Sequence, residues 1–134
     1  MKKILSFLMI VILCGMSFSS QAFDGKNDKI MNKHREIIND LSPDDWYSLA
    51  LSAETCIKKN IINKEVAEWI DRSLKIKKTA FNLEVKGDYY IKNKLPDKAG
   101  ECYLEAIKVG IDEDHNFDSS ELQEKIAKIV NLET

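Results

Sequence analysis

The sequence predicts an all-α fold of about six helices, and three observations support this prediction. Apolar residues recur at three- and four-residue intervals along most of the chain, as they do on the buried face of a helix. No segment shows the strict alternation of apolar and polar residues that a half-buried strand requires. The five glycines and two prolines are widely separated, so they can mark the ends of helices without interrupting them.

The first two helices are predicted to meet at a proline. Apolar residues form one stripe from Asp28 to Leu41, which predicts a helix that ends before Ser42 and Pro43. Those two residues are typical of a helix start, because serine can accept a hydrogen bond from a free backbone amide and proline suits the first turn. A second helix is therefore predicted from this point to about Lys59.

The third and fourth helices are predicted from their caps and from a change in periodicity. Asn63 is a candidate cap for the third helix, because its side chain can accept a hydrogen bond from an amide of the first turn. The apolar pattern changes phase at Lys75–Thr79, which predicts a break there, with Thr79 capping the fourth helix. The fourth helix is predicted to end at the turn Asn93–Pro96, because a proline disfavours helical geometry in the residue before it.

The last two helices are predicted on either side of an acidic loop. Alanine, cysteine and tyrosine share one face from Asp97 to Val109, and Gly110 is expected to end that helix. The final helix is expected to begin after Asp118, with Glu121 three residues later completing a capping box.

The first 22 residues have the order of a cleavable signal peptide: two lysines, an apolar run from Ile4 to Cys14, and small residues that end in Ala22. The apolar run is shorter than the roughly 20 residues that cross a bilayer, and no later segment is more apolar, so no integral membrane span is predicted. We therefore expect an exported protein, periplasmic or secreted, with peripheral attachment to the outer membrane left open. Residues 23–134 are then long enough for one domain with one core.

Composition gives little sign of catalysis or of nucleic-acid binding. The chain has 20 lysines and arginines against 22 acidic residues, whereas nucleic acid requires a basic excess. Its only histidines are His34, expected to be packed, and His115, and it has no glycine-rich phosphate loop, so neither an enzyme nor a bound cofactor is predicted. The loop 112–118 alternates acidic residues as a calcium loop does, but Phe117 interrupts the pattern, which favours a solvated loop without a metal.

Two features leave alternatives open. Cys56 and Cys102 are the only thiols beyond the predicted signal peptide, so they are either a disulfide pair or two separate buried thiols. A local basic cluster is either a surface for an acidic partner or lipid headgroups, or an ordinary solvated helix face. Its members are Arg72, Lys75, Lys77 and Lys78.

The fourth and fifth predicted helices contain residues of the types that close packing between two helices requires. They are Leu83, Gly87, Tyr90, Ala99, Tyr103 and Ala106. This set resembles a tetratricopeptide repeat, in which the glycine lets the helices approach, a tyrosine fills the gap and alanines allow close contact. It departs from that family at Leu83, where tryptophan is usual, and at Lys86, where leucine is usual. The second and third predicted helices resemble a less complete copy.

The resemblance implies antiparallel helical hairpins stacked as a short α-solenoid, with a groove that binds a peptide. The residues expected to line that groove are Tyr47, Glu54, Lys86, Tyr89 and Asn93. It further implies a periplasmic adaptor whose partner is another envelope protein and which helps to assemble a machine such as a type IV pilus or a secretion secretin. The alternative is a secreted inhibitor or immunity protein that blocks an enzyme with the acidic loop.

Overall fold

The computed structural model describes residues 21–132, and the described part of the chain consists of six α-helices and their connections, with no strand. The all-α prediction is therefore confirmed. The predicted signal peptide, over residues 1–22, lies almost wholly outside the described residues. In chain order the helices are α1 (Gln21–Asn39), α2 (Trp46–Lys58), α3 (Lys64–Ile76), α4 (Ala80–Lys92), α5 (Pro96–Glu113) and α6 (Ser120–Leu132).

Each helix packs chiefly against its neighbours in the sequence. The most extensive contacts join α4 to α5 and α2 to α3, and α4 also contacts both α2 and α3. One buried cluster draws on α1, α2 and α3 together with Val85 of α4, and a second draws on α4, α5 and α6. The fold is thus a series of adjacent packed helices in which α4 joins the two halves of the core.

The caps of α3 and α4 are those that the sequence predicts. The Asn63 side chain accepts a hydrogen bond from the amide of Val66 at 3.0 Å. The Thr79 hydroxyl accepts from the amide of Asn82, and the Asn82 carboxamide oxygen accepts from the amide of Thr79 in return, which completes a capping box. The predicted break between Lys75 and Thr79 is also present, since α3 ends at Ile76.

Helix α1 runs from Gln21 to Asn39 in place of the predicted Asp28–Leu41, and α6 begins at Ser120, one residue later than predicted. Two further predicted helix ends are also wrong. Helix α2 begins three residues later than expected, because Asp45 is the cap: its carboxylate accepts from both the amide and the hydroxyl of Ser48, at 2.9 and 2.8 Å. Helix α5 does not end at Gly110 but continues to Glu113. Gly110 is buried in that helix, where an added Cβ would lie 2.5 Å from the Phe117 ring, so its role is to make room for packing.

The buried side chain of Asn82 joins α2, α3 and α4 at one point. Its amide nitrogen donates to the Ser73 hydroxyl at 3.0 Å and to the carbonyl of Lys77 at 2.7 Å. The Ser73 hydroxyl in turn donates to the carbonyl of Trp46, the first residue of α2, at 2.6 Å. Asn82 and Ser73 are completely buried, so water cannot reach their polar atoms. Loss of any of these bonds would therefore leave a buried polar group without a partner, which is costly.

Helices α4 and α5 form the tight hairpin that the repeat-like residues predict. Leu83, Ala99, Tyr103 and Ala106 belong to one buried cluster, and Tyr90 packs against it. A Cβ added at Gly87 would lie 2.3 Å from Cε1 of Tyr103, closer than real contacts allow. The hairpin therefore needs a residue without a side chain at Gly87, so that the Tyr103 ring can lie against the α4 backbone.

Replacing Gly87 with alanine should lower the free energy of unfolding by about 1–3 kcal/mol, the usual cost of overfilling a packed core. Gly100→Ala in α5 is the matched control, because its added Cβ would lie an unstrained 3.9 Å from Ile129. That variant should keep or slightly raise stability, since alanine favours helix more than glycine does. Urea unfolding of both variants measures the difference, and equal stabilities would contradict the close contact.

His34 lies on the face of α1 that packs on the core, and its buried Nδ1 has no hydrogen-bond partner among residues 21–132. Burial, aided by the positive charge of Lys33, lowers the pKa of His34 from its ordinary value of 6.5. Below about pH 6.5, His34 therefore binds a proton more readily in the unfolded chain than in the folded chain. It follows that His34 makes the protein less stable as the pH falls through and below that value.

Replacing His34 with leucine should flatten the decline in the free energy of unfolding between pH 7 and pH 5, because the variant has no imidazole to protonate at that site. Urea unfolding across this range measures the slope. His115→Gln serves as the control, since it removes the other imidazole of the chain from an exposed position. An unchanged slope in His34→Leu would show that the buried imidazole is not its source.

Candidate functional site

Helix α2 presents one exposed stripe whose character changes along its length. Tyr47, Leu51, Glu54 and Lys58 follow one another at intervals of four, three and four residues, which places them on the same side of the helix. Tyr47 is 51 % exposed and Leu51 is 40 % exposed. Glu54 and Lys58 form an ion pair at 2.7 Å. The first half of the stripe is therefore apolar and the second half is charged.

Helix α4 lies beside α2 and points in the same direction. Near the starts of the two helices, the rings of Tyr47 and Phe81 are 5.5 Å apart, and Trp46 contacts Tyr47 edge to face at 5.6 Å. Near their ends, the Lys92 ammonium donates to the Asn60 side chain at 2.8 Å. The aromatic ends of the two helices thus meet, and so do their polar ends.

A charged network joins α4 to α6 on this side. The Lys125 ammonium donates to Glu84 at 2.6 Å and to Asp88 at 3.0 Å, and the Tyr103 hydroxyl of α5 donates to Asp88 at 2.7 Å. Burial by itself lowers the pKa of Lys125, but the hydrogen bonds to Glu84 and Asp88 outweigh it, so the pKa lies above its ordinary value. The charges of Asp88 and Lys125 also act on Lys58 of α2.

These residues form one continuous surface, which we name the α2–α4–α6 face. It has an apolar end and a charged end, and it is open to solvent along α2. Its members are Tyr47, Leu51, Glu54, Lys58, Phe81, Glu84, Asp88 and Lys125. Tyr47 is half exposed, whereas Phe81 packs against the first core cluster. An exposed aromatic side chain beside an exposed leucine is an apolar area whose burial is favourable.

The structure brings two of the five predicted groove residues onto this face and separates the others. Tyr47 and Glu54 belong to it. Lys86 points away, because residues two apart on a helix differ in direction by about 200°, so it lies opposite Glu84 and Asp88. Its ammonium bonds Asp71 of α3 at 3.0 Å.

The two remaining groove candidates bond to nearby backbone. The Tyr89 hydroxyl donates to the carbonyl of Asn63 at 3.4 Å, and the ring packs on the first buried cluster. Asn93 follows α4, and its side chain donates to the carbonyl of Tyr89 at 2.8 Å. Sequence reasoning missed Leu51, although it lies four residues after Tyr47, and this spacing is the signal that could have found it.

Cys56 and Cys102 are free thiols, so the structure has no disulfide between them and corresponds to the alternative of two separate buried cysteines. Cys56 packs in the first cluster, with its sulfur 3.8 Å from that of Met31. Cys102 belongs to α5 and lies near Lys86 of α4. Burial raises the pKa of Cys56 to about 11 and also raises that of Cys102, which keeps both as unreactive thiols near neutral pH.

Helix α5 takes up the first two residues of the predicted acidic loop 112–118. Asp112 lies within α5, and Asp114 and Asp118 each accept a hydrogen bond from the amide two residues later. Within the part of the chain that the structure describes, no cluster of three or more histidine, cysteine or acidic side chains could hold a metal ion. None of the described helices is both long and apolar enough to cross a bilayer.

The residues of the predicted basic cluster lie in different environments. Lys77 lies over the Trp46 ring, 5.6 Å from its centre, and its ammonium is 3.7 Å from Glu113. Lys78 pairs with Glu105 of α5 at 2.6 Å and faces a cleft that Lys75 also lines. Arg72 is exposed on α3.

No protein-family model, curated protein or solved structure matches the chain. The similarity to a tetratricopeptide repeat is therefore an interpretation of its own residues. Two structural features bear on this interpretation: the contact between Gly87 and Tyr103, and the side-by-side arrangement of α2 and α4.

Proposed function

We propose that this protein is an adaptor that holds a segment of another protein against the α2–α4–α6 face. The observation that carries the proposal is the exposure of Tyr47 and Leu51 beside Phe81, next to a charged network that is already formed. Tyrosine is among the residues that contribute most when an interface buries them, because it offers a large apolar area and loses little conformational freedom.

The charged end would supply selectivity. Lys125 is held between Glu84 and Asp88, and Asp88 is held in turn by the Tyr103 hydroxyl. A partner that meets these groups does not have to order them, so less free energy is lost when it binds. A partner whose charges do not complement this pattern would leave ions without hydration or pairing, which opposes its binding.

We further propose that the partner belongs to a cell-envelope machine such as a type IV pilus or a secretion secretin. The support is the signal-peptide pattern of residues 1–22 together with the tetratricopeptide-like hairpin, since that family holds peptides in grooves between stacked helices. In this proposal the protein acts in the periplasm or after secretion and has no catalytic role.

Crosslinking in intact cells, followed by affinity capture and mass spectrometry, tests both parts of the proposal. The double variant Tyr47→Ala with Leu51→Ala should lose at least about tenfold of the captured partner, the effect expected when interface anchors are truncated. Leu104→Ala is the matched control, because Leu104 is 59 % exposed but lies on α5. It should capture the partner as the unchanged protein does.

Urea unfolding of each variant shows whether the fold is intact, so that lost capture can be assigned to the surface. Equal capture by the double variant and the control would contradict the proposed face. Recovery of one enzyme in place of envelope components, with loss when Asp112 and Asp114 are changed to asparagine, would instead favour the inhibitor or immunity alternative.

A further inference from the structure

A cleft of about 330 Å³ lies between α3, α4 and α5, on the side of α4 opposite the α2–α4–α6 face. Leu74, Leu83 and Cys102 contribute its apolar lining. Leu83 and Cys102 are buried from solvent by their neighbours, so this lining is a rigid part of the core. Leu74 is only partly buried, so an aliphatic side chain that enters the cleft would contact Leu74 above this fixed apolar floor.

Three lysines, Lys75, Lys78 and Lys86, also line the cleft. Two of them have acidic partners in the cleft: Lys86 pairs with Asp71 at 3.0 Å, and Lys78 pairs with Glu105 at 2.6 Å. Lys75 has no ion pair with any residue that the structure describes. The charged groups of the cleft thus sum to one unbalanced positive charge.

One neighbouring basic group adds to this positive charge. Arg72 lies one helical turn before Lys75 on α3, is exposed, and also lacks an ion pair among the described residues. Lys86 is only 29 % exposed, so it has given up part of its hydration for a single carboxylate. A ligand carboxylate placed near Lys86 and Lys75 would give the Lys86 ammonium a second hydrogen-bond acceptor in place of lost water. It would also neutralise the unpaired charge of Lys75.

We propose that this cleft is a second binding site, for an acidic protein segment in which carboxylates flank an aliphatic side chain. The aliphatic group would lie on Leu74 and Leu83, and the carboxylates would meet Lys75, Lys78 and Lys86. A simple inorganic anion leaves the apolar lining uncovered. A nucleic-acid strand carries a phosphate at every nucleotide and requires a longer row of basic groups than these three lysines, two of which are already paired.

The proposal does not depend on the adaptor function, since it concerns the opposite side of α4. Its probe is a fluorescein-labelled peptide, Asp-Glu-Leu-Glu-Asp, blocked at both ends, whose binding to the full chain is measured by anisotropy at low salt. Two further peptides separate the contributions: Asn-Gln-Leu-Gln-Asn removes the charge, and Asp-Glu-Gly-Glu-Asp removes the aliphatic side chain. We expect the parent peptide to bind and both others to bind more weakly.

Lys75→Gln and Lys78→Gln should each raise the dissociation constant of the parent peptide by about fivefold, the loss expected for one exposed ion pair. Lys29→Gln, which removes an exposed lysine of α1, should leave it unchanged. Raising the salt concentration should weaken binding to the unchanged protein. Absence of binding, or an equal loss with Lys29→Gln, would overturn the proposal.

Cys102 supplies a second measurement at the cleft itself. Titration with the peptide should shift the backbone amide NMR signals of Cys102 and Leu83, whereas the signal of Cys56, which is buried in the other core cluster, should not move. Binding of the peptide without a shift at Cys102 and Leu83 would place the bound peptide elsewhere, and the proposal would be wrong. Equal shifts with inorganic phosphate would assign the cleft to small anions and would overturn the assignment to a protein segment.

Discussion

The contact between Gly87 and Tyr103 is the constraint on which the second half of the structure depends. Because α4 has no side chain at that point, the Tyr103 ring lies directly against it, and α5 comes close enough to bury Leu83, Ala99 and Ala106. The same ring carries its hydroxyl to Asp88, and Asp88 holds Lys125 of α6. One missing side chain thus sets the position of three helices.

Asn82 has the corresponding role between the two halves of the core. It caps α4 together with Thr79, and it also bonds the hydroxyl of Ser73 and the carbonyl of Lys77. These bonds set the rotation of α4 about its own axis. That rotation decides which residues reach which surface, because it places Glu84 and Asp88 toward α6 and Lys86 toward α3.

The sequence predicted the features that depend on a few neighbouring residues. The caps at Asn63 and Thr79 follow from local chemistry, and the close approach of the two helices at Gly87 follows from spacing; all three are present. Only the structure shows that the ring lying on Gly87 is that of Tyr103. The helix ends at Ser42 and Gly110 were predicted wrongly, because each segment contains more than one residue at which a helix could begin or end. Asp45 offers a stronger cap, and Gly110 is needed for packing against Phe117.

The candidate site was predictable only in part, for a related reason. Tyr47 and Glu54 could be found from the periodicity of one helix, whereas Lys125 reaches Glu84 across 41 positions of the chain. The misplacement of Lys86 has the same origin, since the direction of a side chain depends on how its helix is rotated, and a buried asparagine determines that rotation. Nothing in the local pattern marks Asn82 as buried.

The parallel arrangement of α2 and α4 has a consequence for any ligand that lies along them. Their aromatic residues meet at one end and their ionic groups lie toward the other. The two ends of such a surface are chemically unlike, so a chain laid across it in reverse would set charges against rings. A bound polypeptide would therefore have a single preferred N-to-C direction, and the protein would distinguish the orientation of its partner as well as its composition.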